Sequence, residues 1–90
     1  MKALAPYKPE EPLPGPIELK VIWLFPTRKN NLDGTYREIR PDTDNLDKLL
    51  KDCMTKSGFW HDDAQVCKEV IEKRWVKSSP CGIQIEVTQL

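Results

Sequence analysis

Ninety residues with zero formal net charge and 39% apolar content make one small domain at most, with little chain left for a core. The neutral balance excludes a protein that coats nucleic acid by bulk charge, and no run of residues reads as a membrane span or a signal peptide. Three cysteines, Cys53, Cys67 and Cys81, form no CxxC pair; an odd number argues for free thiols in a reduced intracellular protein. A zinc site built from these cysteines and His61 is the weaker reading.

Residues 1–16, "MKALAPYKPEEPLPGP", hold most of the prolines and read as an extended tail. The domain proper spans 17–90. At that size apolar burial barely exceeds chain entropy, so a partner chain, a metal or a disulfide is expected to help.

The stretch "IELKVIWLF", 17–25, begins in strict alternation and then turns apolar on both faces, which predicts a strand that enters half exposed and becomes buried. Pro26 ends it. Residues 27–40, "TRKNNLDGTYREIR", predict a polar, basic loop, with Asp33-Gly34 as a turn and a short hairpin as one option. Pro41 restricts Arg40 to an extended conformation. A helix follows, with Leu46, Leu49, Leu50, Cys53 and Met54 as its apolar stripe, Thr43 or Asp44 as its cap and Gly58 as its stop.

In "QVCKEVIEKRWV", 65–76, neither alternation nor helical spacing is clean, but the apolar residues favour a strand. "IQIEVT", 83–88, alternates cleanly. The intervening "VKSSPCG" reads as a turn, so these two strands are expected to pair antiparallel. The sum is an α+β domain: a small mixed sheet of about three strands with one main helix on one face.

Chemistry concentrates in two acidic segments. In "RPDTDNLDKLLKD", Asp42 and Asp44 flank one residue at the start of the helix, and Lys48 projects from its polar face beside Asp44. In "GFWHDDAQV", Asp62 and Asp63 precede the next strand, which must return alongside the helix, so a third carboxylate could meet the first two. Three carboxylates and a lysine suit a magnesium-dependent phosphodiesterase, because Mg²⁺ takes hard oxygen ligands and offsets phosphate charge. The bland reading stands beside this: Asp at a helix start is a cap, Asp44 with Lys48 is a surface ion pair, and "HDD" is a turn. Spacing alone leaves both open. An EF-hand starting at Asp42 is excluded, since Leu46, Asp47 and Cys53 occupy its fifth, sixth and twelfth positions. A DxD phosphatase motif would follow a buried strand in a much larger domain.

Together, "RPDTDNLDKLLKD" and "GFWHDDAQV" resemble the RusA family of Holliday junction resolvases, endonucleases of phages and prophages. The family pattern is a DxDN helix start, a lysine on that helix, then an aromatic and a DDxQV segment; the likeness covers about 17–88. The resemblance implies a Mg²⁺-dependent homodimer, with Mn²⁺ as a possible substitute, that binds four-way DNA junctions and nicks two strands symmetrically. It implies that Asp42, Asp44 and Asp63 hold metal, that Lys48 is catalytic with them, and that Asp62 is not catalytic. The basic loop, with Arg28, Lys29, Arg37 and Arg40, matches the region expected to face DNA, and the protein is then cytoplasmic and DNA-associated. For such a dimer, an open sheet edge and exposed Trp23, Trp60 or Trp75 are the candidate contacts. Family members carry another strand and helix before 17–25, so the resemblance also implies a chain shortened at its N-terminus with an open sheet edge. A non-catalytic junction binder descended from such an enzyme is the alternative.

Overall fold

The computed structural model describes residues 9–77 and 81–90; the first part of the expected tail and the centre of the expected 76–82 turn lie outside them. Three strands and one long helix follow the chain: β1 (Ile17–Pro26), α1 (Thr43–Ser57), β2 (Val66–Val76) and β3 (Gly82–Gln89). The α+β expectation holds, with a three-stranded mixed sheet under one main helix.

Strand order differs from expectation. β2 and β3 do not pair with each other; the order is β2-β1-β3, with β1 parallel to β2 and antiparallel to β3. The physical reason lies in β1. Its inward residues Ile17, Leu19 and Val21 are fully buried, and such a strand is best placed where both of its edges are paired. The helix between β1 and β2 supplies the long crossover that a parallel pair requires.

A bulge explains the unclear pattern of 65–76. Ile17 lies opposite Val66, but Glu18 lies opposite Lys68, so Cys67 is an extra residue. Beyond it Glu69, Ile71, Lys73 and Trp75 share the face of their partners Leu19, Val21, Trp23 and Phe25. The face toward α1 therefore carries two charges, Glu69 and Lys73.

The core joins that face to Leu50 and Met54 of α1 and to Phe59 and Trp60 beyond it. Trp60, expected as a dimer contact, is buried, and its indole Nε1 donates to Thr55 Oγ1 at 2.7 Å. Trp23 and Trp75 are half-buried. Leu49, expected in the buried stripe, is 59% exposed. With Leu46 as zero and 100° per residue, Leu50 and Met54 centre the buried stripe near ~60°, so Asp47 and Lys51 rather than Leu49 turn toward the sheet.

The helix is stopped by Gly58, whose φ of 91° is left-handed and whose N–H reaches the carbonyls of Met54 and Thr55. The 27–40 segment is no hairpin of its own. It makes a 3-10 turn at Asn30–Leu32, then runs along β2: Gly34 N–H donates to Trp75 O at 2.8 Å, Trp75 N–H to Thr35 O at 2.9 Å, and Arg37 N–H to Lys73 O at 2.8 Å. That covers part of an otherwise open sheet edge. The end of the proline-rich tail is likewise tied down: Leu13 N–H donates to Phe59 O at 2.9 Å, and Leu13 packs on the core.

Candidate active site

The approach to α1 is built from the basic loop. The Arg37 guanidinium lies 3.9 Å from the centre of the Phe25 ring and 4.8 Å from that of Trp75. One of its nitrogens donates to Arg40 O at 2.6 Å. Arg37 is thus half-buried, its charge drawn toward the two aromatic faces. Arg28, Lys29 and Arg40 are exposed. Arg74 stacks on Tyr36 at 4.3 Å and pairs with Glu72 at 2.8 Å.

Asp42, rather than Thr43 or Asp44, occupies the capping position of α1, in an extended conformation. Its side chain makes no capping hydrogen bond. Asp44 lies in the first turn, and Lys48 follows on the same helix; all three are exposed. Among the described residues neither Asp42, Asp44 nor Lys48 enters an ion pair, so the expected Asp44–Lys48 surface pair is absent.

The second acidic segment divides its labour. Asp62 is a cap: it accepts from Ala64 N–H at 2.9 Å, while Gln65 Oε1 accepts from Asp62 N–H at 3.0 Å and from His61 N–H at 2.8 Å. The Gln65 amide then donates to the carbonyls of Leu13 and Gly15 at 2.8 and 3.0 Å. Asp63 opens the 3-10 turn Asp63–Gln65 and stays exposed, with no ion pair among the described residues.

The fold keeps these two segments apart. Pro41, just before Asp42, is bound by Lys73 near the end of β2, whereas Asp63 directly precedes its start. Seven strand residues separate Val66 from Lys73, roughly 23 Å at 3.3 Å per residue. The helix between the segments is itself ~22 Å long at 1.5 Å per residue. Asp42 and Asp44 are neighbours, but Asp63 of the same chain stands at the far end of α1. Accordingly, among the described residues no three His, Cys, Asp or Glu side chains are grouped closely enough to hold a metal ion. As donors, the exposed carboxylates of Asp42, Asp44 and Asp63 suit a hard divalent cation. Their arrangement within one chain does not complete the set.

A polar cluster that the sequence reading missed ties α1 to β2. Lys51 Nζ donates to Glu69 Oε1 at 2.8 Å and lies 3.4 Å from Asp47 Oδ2. Burial, then the hydrogen bond and the charge of Glu69, push the Asp47 carboxyl up to about 6. Burial opposes ionisation of Glu69 too, but hydrogen bonds to Lys51 and Asp47 hold it below the ordinary carboxylate range. The Glu69 hydrogen bond pushes Lys51 up. The i,i+4 spacing of Asp47 and Lys51 was a legible signal; the arrival of Glu69 depends on the bulge.

With this geometry in view, the likeness to known proteins is specific. The family model for endodeoxyribonuclease RusA matches residues 1–88. A crossover junction endodeoxyribonuclease of Lactococcus phage r1t is 32% identical over 75 residues, 83% of this chain and 56% of that protein. Those of Escherichia coli K12 and Enterobacteria phage 82 are 39% identical over 51 residues, 57% of this chain and 34% of theirs. The chain spans about half the length, or less, of these relatives. The match includes the proline-rich segment that the structure ties to the core, and the chain belongs to the endodeoxyribonuclease RusA family.

Proposed function

We propose that the protein is a divalent-cation-dependent, structure-specific endonuclease that acts as a homodimer on four-way DNA junctions and nicks two strands symmetrically. The observation that carries this is the start of α1. Asp42 stands at the capping position without capping, Asp44 and Lys48 are exposed and outside any ion pair among the described residues, and all three lie within the stretch that the family model matches.

Asp42, Asp44 and Asp63 would hold Mg²⁺, which supplies charge neutralisation at the phosphate and an activated water when bound. Because α1 separates Asp63 from the other two, each site is read as composite, with Asp42 and Asp44 of one chain completed by Asp63 of a second copy. That arrangement makes the dimer a requirement of the chemistry and yields two sites for two strands. Lys48, one turn beyond Asp44, stabilises charge developing on the phosphate or orients the water. Arg28, Lys29 and Arg40 contact the DNA backbone; Arg37 shapes the loop that presents them.

The test is a labelled four-way junction incubated with the protein, with and without Mg²⁺. Paired cuts that need the metal, and that Asp42→Asn abolishes while the junction is still shifted, are expected. A junction shifted but never cut by the wild-type chain would make it a non-catalytic binder.

A further inference from the structure

Asp42 is delivered by Ile39, Arg40 and Pro41, which belong to no helix or strand. Left to itself, such a segment would let the carboxylate wander. Instead its main chain is held by two cations. Lys73 Nζ donates to Ile39 O at 2.7 Å and to Pro41 O at 2.8 Å. Arg37 donates to Arg40 O at 2.6 Å. Three consecutive carbonyls are therefore each bound by a charged donor, and the next residue is Asp42. Bonds of this kind are stronger than neutral ones.

Both cations are themselves fixed. Lys73 sits in the ladder opposite Trp23, on the face that the Cys67 bulge turns toward α1. Arg37 lies against the rings of Phe25 and Trp75, and its main-chain N–H donates to Lys73 O at 2.8 Å. A surface lysine with only a solvating role would not satisfy two carbonyls two residues apart.

We propose that Lys73 and Arg37 are positioning residues for the Asp42–Asp44 carboxylates, setting where these stand relative to Lys48. This rests on the reading of the aspartates as a divalent-cation site. Neither residue touches the cation; both act through the main chain that carries Asp42. Small displacements matter in such sites, because a misplacement of about 1 Å costs on the order of a hundredfold in rate.

The experiment is a Mn²⁺ titration without DNA, with free ion read by electron paramagnetic resonance. It compares the wild-type chain with Lys73→Met, Lys73→Arg, Arg37→Lys and Asp42→Asn, alongside junction gel shifts and cleavage rates. Lys73→Met is expected to weaken Mn²⁺ binding by roughly 10–100-fold, the usual loss for a residue supporting a ligand. Cleavage should slow while junction affinity stays. Lys73→Arg, which keeps charged donors, should recover most of both. Arg37→Lys, which keeps the charge but loses the planar stack, should weaken Mn²⁺ in the same direction and stands in if Lys73→Met melts below the working temperature. Wild-type Mn²⁺ affinity in either weakened variant overturns the proposal. So does lost junction binding with unchanged metal affinity, which would make Lys73 a phosphate contact. If Asp42→Asn binds Mn²⁺ like wild type, the cation-site reading itself fails, whatever Lys73 does.

Discussion

Lys51 of α1 donates a 2.8 Å hydrogen bond to Glu69 of β2 and joins the middle of the helix to the sheet. Asp47, one turn earlier, shares the same ammonium at 3.4 Å. Two carboxylates around one lysine cannot both be fully compensated, and Asp47 is the one that gives way, its carboxyl pushed up to about 6. From 3.8, its ordinary value, to about 6 the folded chain holds a proton that the unfolded chain has released. Stability therefore falls as pH rises through that window. Glu69 acts with the opposite sign, its contribution fading as pH drops below its ordinary 4.5. Asp47→Asn should remove the decline between about pH 4 and about pH 6. Thermal melting of both chains across this range checks it; parallel curves would contradict the assignment. Lys51→Met, which leaves both carboxylates without their cation, should cost about 1–3 kcal/mol at neutral pH.

The elements of this fold were legible, their arrangement less so. Alternation from Ile17 to Val21, the helical spacing of Leu46, Leu50 and Met54, and Gly58 as a stop are local properties and appear as expected. What depends on contacts distant in sequence did not show. Leu49 faces solvent because the sheet accepts a stripe rotated toward Asp47 and Lys51. Arg37 turns inward because Phe25 and Trp75 come from neighbouring strands. The candidate aspartates could be named one by one, but the length of α1 between Asp42 and Asp63 keeps them apart within a single chain.

Removing a cap ordinarily costs roughly 0.5–2 kcal/mol. Asp42 makes no side-chain capping bond, so Asp42→Ala, which removes any cap, should melt in EDTA at or above the wild-type temperature. Mg²⁺ should raise the wild-type melting point more than the variant's, because a ligand stabilises the state it binds. Melting with EDTA and with Mg²⁺ is the measurement. A variant that melts lower, beside a wild type indifferent to Mg²⁺, would make Asp42 purely structural.

Arg37 and its exposed neighbours should separate cleanly. Arg28→Ala, Lys29→Ala or Arg40→Ala should each weaken junction binding and reduce the salt slope, log K losing roughly 0.9 per released phosphate contact per decade of salt. Arg37→Ala should instead destabilise the fold, by about 0.5–2 kcal/mol for each lost stacking contact. Binding isotherms at several salt concentrations, paired with chemical denaturation, distinguish the two patterns. An undiminished melting point for Arg37→Ala would argue against the inward role.

A composite site makes a prediction that a site within one chain does not. Asp42→Asn and Asp63→Asn should each be inactive alone. In a mixed dimer, the Asp42→Asn chain still carries Asp63, and the Asp63→Asn chain still carries Asp42 and Asp44. One of the two sites then regains every carboxylate, while the other lacks two. Mixing the inactive variants, with subunit exchange allowed, should therefore restore nicking of one strand per junction but not paired cutting. If each site lay within one chain, both sites of the mixed dimer would be damaged and the mixture would stay inactive. Counting nicked and doubly cut products on a junction labelled on opposing strands reads the outcome. Sedimentation of the same mixture establishes that dimers form. Inactive mixtures that are demonstrably dimeric would place Asp63 with Asp42 in one chain, and would require α1 to shift against the sheet to bring them together.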